Sequence, residues 1–281
     1  MFLIPSDRPP ASLPELRALL SASLEHTYGV TDADRRLVIT GRWPRLEEVR
    51  LDLTGVGLDP LQPPPAPGRF SPPSGPPTLQ SAQLRVGADP LRLGAEARLQ
   101  FAVAARGVDL SFVRDDRGQL WLLPHHFASG QVTATIAGRD LERVFLEGAQ
   151  GAAARHGVSI EDGNLQLRQA DTRSVTVTAE LEARRLFVRG RLALRGRVTV
   201  DAALNLSFSE LTCEGRGAIG SIASRFVRPH LETWEGQPIP LLAMALPAVR
   251  LHHAELRTDA EGLLHAAAEF GEGAASAAPL V

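Results

Sequence analysis

A chain of 281 residues with a formal net charge of −2 can bury one large core or two ordinary ones, and carries no overall field favouring DNA or an acidic membrane. Hydrophobic residues at 44% and charged residues at 22% exclude wholesale disorder. Cys213 is the only cysteine, which excludes an internal disulfide and a cysteine-based zinc site.

The first four residues are apolar, but Pro5 and Asp7 follow at once. A secretory signal needs roughly 7–15 apolar residues behind a basic leader, and a membrane span needs about 18. Neither is present, so the expected placement is cytoplasmic, with export requiring a start upstream of this one. Ser12 followed by Glu15 is a capping box, and Leu16, Leu19, Leu20 and Leu24 then repeat on one helical face. After Gly29 the period shortens to two. Leu37 and Ile39, then Val49, Leu51 and Leu53, alternate with polar neighbours as half-buried strands. Nine prolines between 60 and 77 leave no room for a helix or a sheet ladder. Strands of one pattern flank this stretch, so 60–78 reads as a loop or linker within a single domain of 1–271, with 272–281 as a flexible tail.

From Leu79 strands dominate. Leu99, Phe101 and Val103 share a face, followed beyond a bend at Gly107 by Val108, Leu110 and Phe112. A turn at Asp115-Asp116-Arg117-Gly118 leads to Leu120-Trp121-Leu122, and Val132, Ala134 and Ile136 alternate again. A helix over 140–155 presents Leu141, Val144, Phe145 and Ala149 and stops at Gly157. Asp162-Gly163 reads as a hairpin turn between Ile160 and Leu165. Val175, Val177, Ala179 and Leu181 come next. Then Leu186, Val188, Leu192, Leu194, Leu204, Leu206 and Phe208 all fall on even positions. Their odd neighbours include Arg185, Arg189, Arg191, Arg195 and Arg197, while Gly190 and Gly196 suggest curvature or a turn. The last helix carries Ile219, Ile222, Phe226, Leu231 and Trp234 at helical spacing, with Pro229 predicting a kink. Closing strands hold Val249 and Leu251, then Leu264, Ala266, Ala268 and Phe270.

Motifs that would carry chemistry are weak. Gly215-Arg216-Gly217-Ala218-Ile219-Gly220 is a literal G-x-G-x-x-G, with Glu235 about where a ribose-binding acid would sit. A dinucleotide fingerprint follows a fully buried parallel strand, whereas the strand here alternates, and 61 residues beyond Gly220 are too few for the further βαβ units. The glycines more simply turn a strand into a helix. His125-His126 and His252-His253 are neighbours on strands, so each pair points to opposite faces and cannot chelate as a unit. No nucleophile elbow, P-loop or S-x-x-K motif occurs, and no cofactor is implied. The arginine row reads as a solvated, edge-protecting face, or as an electropositive patch for anionic headgroups. Nucleic acid is disfavoured because no aromatic residues interleave with the arginines.

Many amphipathic strands with few helices leave two readings open: a slot between sheet and helix, or a filled core. Three stretches resemble the bacterial LmeA-like proteins of the tubular lipid-binding (TULIP) superfamily. They are the strand into helix from Ile136 to Arg143, the meander from Val175 to Phe208 with its Leu-x-Leu-x-Gly-x-Val-x-Val at Leu192 to Val200, and the helix over 219–234 leading to the closing strand pair. The resemblance implies an α+β fold in which a long, strongly curved antiparallel sheet wraps a few amphipathic helices. It also implies non-enzymatic binding or carrying of a lipid. The expected apolar lining is Leu186, Val188, Leu192, Leu194, Leu204, Leu206, Phe208, Ile219, Ile222, Phe226, Leu231 and Trp234. Arg185, Arg189, Arg191, Arg195 and Arg197 would form the face toward headgroups, with transient contact at an anionic membrane surface. The alternative is a structural or protein-interaction module with a filled core and no ligand.

Overall fold

Ser12 opens the first helix, α1 (Leu13–Tyr28), by accepting the backbone N–H of Glu15 at 3.4 Å. The Glu15 carboxylate reaches back one residue further than a capping box requires, to the N–H of Ala11 at 2.8 Å. Gly29, in the left-handed region at φ 65°, ends the helix. The computed structural model describes residues 2–59, 68–70, 76–94, 96–154, 157–185, 188–201, 205–237, 239–240 and 251–272. Around α1 lie β1 (Phe2–Ile4), the short α2 (Ala33–Arg36), β2 (Leu37–Arg42), β3 (Arg45–Asp52) and β4 (Gly57–Leu58). Three long strands follow, β5 (Leu79–Leu93), β6 (Ala97–Arg114) and β7 (Leu120–Ala137). They pair antiparallel along their length, and the expected bend at Gly107 is absorbed inside β6 at φ 56°.

After β7 come α3 (Gly138–Ala154), then β8 (Ser159–Asp171), β9 (Ser174–Arg185), β10 (Val188–Val200) and β11 (Asn205–Arg216). The helix α4 (Gly217–Trp234) and the two-residue β12 (Ile239–Pro240) follow, and β13 (Leu251–Thr258) and β14 (Leu263–Gly271) close the described chain. The strands form two sheets. The first has the order β13-β14-β7-β6-β5-β3-β2, with β1 paired to β7 and β4 to β5; the second is the antiparallel row β12-β11-β10-β9-β8.

This architecture corrects the expectation of one long, strongly curved antiparallel sheet. The first sheet is mixed, because β3 and β4 run parallel to β5. It is also open, ending at β13 and β2, and is not strongly curled around a helix. Strand periodicity could not reveal this, since alternation reports which face is buried and not which way a neighbour runs. A parallel neighbour needs a long connection instead of a tight turn. The proline-rich stretch lies in that connection, with β3 and β4 before it and β5 after it in the same sheet. Asp162-Gly163 is not a hairpin turn either. It lies within β8, next to a register shift between Ile160 and Asp162. The glycine is there for space: a Cβ at 163 would come within 2.9 Å of the side chains of both Leu146 on α3 and Leu181 on β9.

The main core lies between α1 and the first sheet. Leu16 and Leu24 are fully buried against Ile4, Leu37, Leu79, Val108 and Leu120, and Phe127 meets Phe270 edge to face at 5.1 Å. Burial of this stripe is what holds α1 in place. The β6–β7 turn is fastened by Asp115, whose carboxylate accepts N–H groups from Gly68 (3.0 Å), Arg117 (3.0 Å), Gln119 (2.8 Å) and the Trp121 indole (3.1 Å). This also ties the middle of the proline-rich stretch to the turn, where the Asp116 N–H donates to the Arg69 carbonyl and the Asp116 carboxylate accepts the Arg69 N–H.

Three sheet edges are sealed by side chains of the same chain. At β8, the Glu142 carboxylate takes the Leu165 N–H (2.7 Å) and Gln150 donates to the Ile160 carbonyl (3.3 Å), both from α3. At β11, Arg228 donates to the Cys213 carbonyl (3.3 Å), Glu235 accepts the Leu211 N–H (3.2 Å), and the Gly236 N–H meets the Phe208 carbonyl (2.8 Å). At β13, the Gln169 amide accepts from the Thr258 N–H and donates to the Leu256 carbonyl (3.3 Å), standing in for one residue of a neighbouring strand. That amide joins the two sheets where Val200 and Leu206 pack on Ala254 and Leu251.

Leu24→Ala should destabilise the chain by about 2–5 kcal/mol in denaturant unfolding, the range for a leucine removed from a packed core. For Asp115, burial raises the carboxyl pKa, but hydrogen bonds from Gly68, Gln119, Trp121 and Arg117 outweigh it and hold the pKa below the ordinary 3.8. A lowered folded-state pKa supplies stability that is complete above 3.8 and lost as pH falls through the folded value. The stability difference between the parent chain and Asp115→Asn, read by circular dichroism melts, should therefore hold from neutral pH to the aspartate range and shrink below it. A difference independent of pH would refute this role for the carboxylate.

Candidate functional site

The region expected to hold a ligand is the second sheet and α4. Register decides which side chains share a face. Leu192 lies opposite Leu181 on one side and Gly215 on the other, and Leu194 lies between Ala179 and Cys213. Leu181, Leu192 and Cys213 form a buried cluster, on which Phe145, Leu146 and Ala149 of α3, Ile160, Leu194 and Leu231 of α4 pack. Burial pushes the Cys213 thiol pKa up against the opposing pull of Arg228, so the thiol behaves as a small apolar core group.

How closely α4 approaches the sheet is set by glycine. A Cβ at Gly215 would overlap the Gly220 carbonyl, and a Cβ at Gly220 would overlap the Arg191 carbonyl of β10. The first turn of α4 therefore rests on the strands backbone to backbone. This explains the G-x-G-x-x-G spacing: the glycines turn β11 into α4 and let the helix sit on the sheet. A dinucleotide would need a parallel strand before the helix, and β11 runs antiparallel to β10.

Of the expected lining residues that are described, Leu192, Leu194, Leu206 and Phe208 share one face of the second sheet by register. Leu192, Leu194 and Leu231 belong to the cluster under the helices, and Leu206 packs in another with Val200 and Ala254. Phe208 pairs with Val198 and bridges to Glu235. Val188 is 47% exposed at the start of β10, away from any lining. Leu186 and Leu204 lie outside the described residues, as do the side chains of Arg185, Ile219, Ile222, Phe226 and Trp234.

The arginine row lies on the opposite, open face, and β10 is a central strand, not an edge. Carboxylates meet several of these arginines: Glu161 takes Arg189 at 3.5 Å together with Arg184 at 2.9 Å, Glu182 takes Arg191 at 2.5 Å, and Glu210 takes Arg197 at 3.3 Å. Exposed pairs of this kind contribute roughly 0–1 kcal/mol each. They leave Arg195 as the one described member of the row without a carboxylate partner, so the uninterrupted electropositive patch expected for headgroups is not formed.

Sequence reasoning missed a polar cleft of about 650 Å³ beside the end of β11. Glu214, Gly215 and Arg216 form one wall, and Ser221, Ser224, Arg225, Arg228 and Glu232 of α4 form the other. The helical residues recur at i, i+3, i+4, i+7 and i+11, a polar stripe legible in the sequence beside the apolar one.

Of the four histidines in the two adjacent pairs, three have partners, while the buried Nε2 of His125 has none among the described residues. His126 stands between Asp109 (3.6 Å) and Glu272 (3.2 Å), His253 meets Glu255 (2.8 Å), and His252 meets the Gly271 carbonyl. Among the described residues no three metal-binding side chains converge, and no helix is long and apolar enough to cross a membrane.

No family model, no curated protein and no solved structure matches this chain. With a mixed, open first sheet and a helix seated directly on the second, the resemblance to the tubular lipid-binding superfamily is not upheld. The inferred lipid-carrying groove and the contact with an anionic membrane fall with it. Gly220→Val should force α4 off β10 and destabilise the chain by about 1–3 kcal/mol in urea unfolding, the usual effect of overpacking. Gly236→Ala is the comparison, since nothing lies within 4 Å of a Cβ there, although its φ of 71° adds local strain. Equal losses in the two variants would refute the close-contact role.

Proposed function

We propose that this chain is a non-catalytic structural or protein-interaction module with filled cores. The observation that carries the reading is the backbone contact between α4 and the second sheet, which leaves no gap at the helix's first turn where the expected ligand would lie. The cluster of Leu181, Leu192 and Cys213 beneath α3 and α4 supports it further. The non-catalytic part is supported by where the shifted acids sit. Asp52, Asp115, Asp171 and Asp259 hold turns together through hydrogen bonds that lower their pKa values, and Asp32 and Glu255 are lowered by side-chain hydrogen bonds with Arg36 and with His253. General acids or bases poised near neutral pH would be shifted the other way. Surface, not interior, is then what this molecule offers to others.

Native mass spectrometry of the purified chain, incubated with phospholipid vesicles and separated from them, is expected to give the bare polypeptide mass. A stoichiometric adduct of acyl-chain mass would overturn the filled-core reading.

A further inference from the structure

We propose that the cleft between β11 and α4 docks an acidic segment of a partner protein; this rests on the interaction-module reading and names its partner. Across the rest of this sheet's polar face, Arg184, Arg189, Arg191 and Arg197 have carboxylate partners, while Arg168 and Arg195 have none among the described residues. What sets the cleft apart is that its arginines converge on one concave surface. Among the described residues the side chains of Arg216 and Arg225 make no ion pair or hydrogen bond, although Glu214 and Glu232 line the same cleft. Arg228 spends one N–H on the Cys213 carbonyl, leaving four of its five donors. Three guanidinium groups therefore line one concave surface with most of their hydrogen-bonding capacity unused. The planar fork of a guanidinium matches a carboxylate in a two-point, charge-assisted contact.

Length selects a segment over a small ion. From Ser221 to Glu232 the helical wall rises about 16 Å at 1.5 Å per residue, which matches roughly five residues of extended chain. Charge selects a mixed protein segment over a uniform polyanion. Glu214 and Glu232 would repel a run of phosphates, whereas in a polypeptide they can accept N–H or hydroxyl donors flanking the acidic residues. Among the described residues no aromatic side chain lines the cleft to offer nucleic-acid bases a stacking surface.

The test is fluorescence anisotropy of a fluorescein-labelled peptide, Gly-Ser-Glu-Glu-Ser-Glu-Gly-Ser, titrated with the full chain at low salt and at physiological salt. Binding should weaken with salt, and should fall about tenfold or more in Arg216→Glu/Arg225→Glu, corresponding to the loss of one or two charge-assisted contacts. Neither arginine has a described contact to lose, so circular dichroism of this variant should match the parent. The control Arg184→Glu/Arg197→Glu makes the same change in net charge on the paired part of the face, away from the cross-strand neighbour of Arg216, and should bind the peptide as the parent does. No binding by the parent chain, or equal loss in both double variants, would overturn the proposal. So would full displacement of the peptide by inorganic phosphate at equimolar concentration, which would assign the cleft to a free oxyanion. A negative peptide result with a bare mass in the lipid experiment would remove the cleft and leave the interaction-module reading in place.

Discussion

Every open sheet ends in a strand whose outer N–H and C=O groups have no neighbour, and an exposed edge of that kind recruits other chains. At three of its edges this protein meets the requirement with side chains from its own helices and strands. Glu142 and Gln150 close β8, Arg228 and Glu235 close β11, and Gln169 closes β13. These contacts do more than protect. Two of them fix where α3 and α4 lie relative to the second sheet, and the third fixes the second sheet against the first. The arrangement of layers thus follows from backbone satisfaction as much as from apolar burial.

Once α3 and α4 are tied to the edges of the second sheet, the space beneath them is filled from both sides. The glycines at 163, 215 and 220 remove the Cβ atoms that would hold the helices away. An apolar slot needs a gap between helix and sheet, and these positions remove it where the helices first touch the strands. On the charged face on the other side, several arginines are paired with carboxylates across strands. At the end of β11 arginines and carboxylates share one cleft, and among the described residues no ion pair joins them.

Much of the local structure was readable. The Ser12–Glu15 cap, the alternation of Val49 and Leu51, the turn at Asp115 to Gly118 and the helix ending at Gly157 each follow from interactions within a few residues. Asp162-Gly163 shows where such reasoning stops. Its dipeptide chemistry favours a hairpin, but β9 and α3 on either side of it hold the strand straight through. The arginine row was likewise visible as a row. Its pairing with carboxylates was not, because Glu161, Glu182 and Glu210 reach it from other strands and only register brings them there.

The sequence by itself determined where the long strands and helices run, which of their faces are apolar, and that no described helix is long and apolar enough to cross a membrane, because these depend on periodicity and composition alone. Only the tertiary structure decided that there are two sheets, that β3 and β4 run parallel to β5, and that α4 rests on backbone instead of over a slot. The physical reason is that a period of two is the same for a parallel or antiparallel, edge or central strand. Pairing direction, register and helix height are set by contacts between residues far apart in the chain.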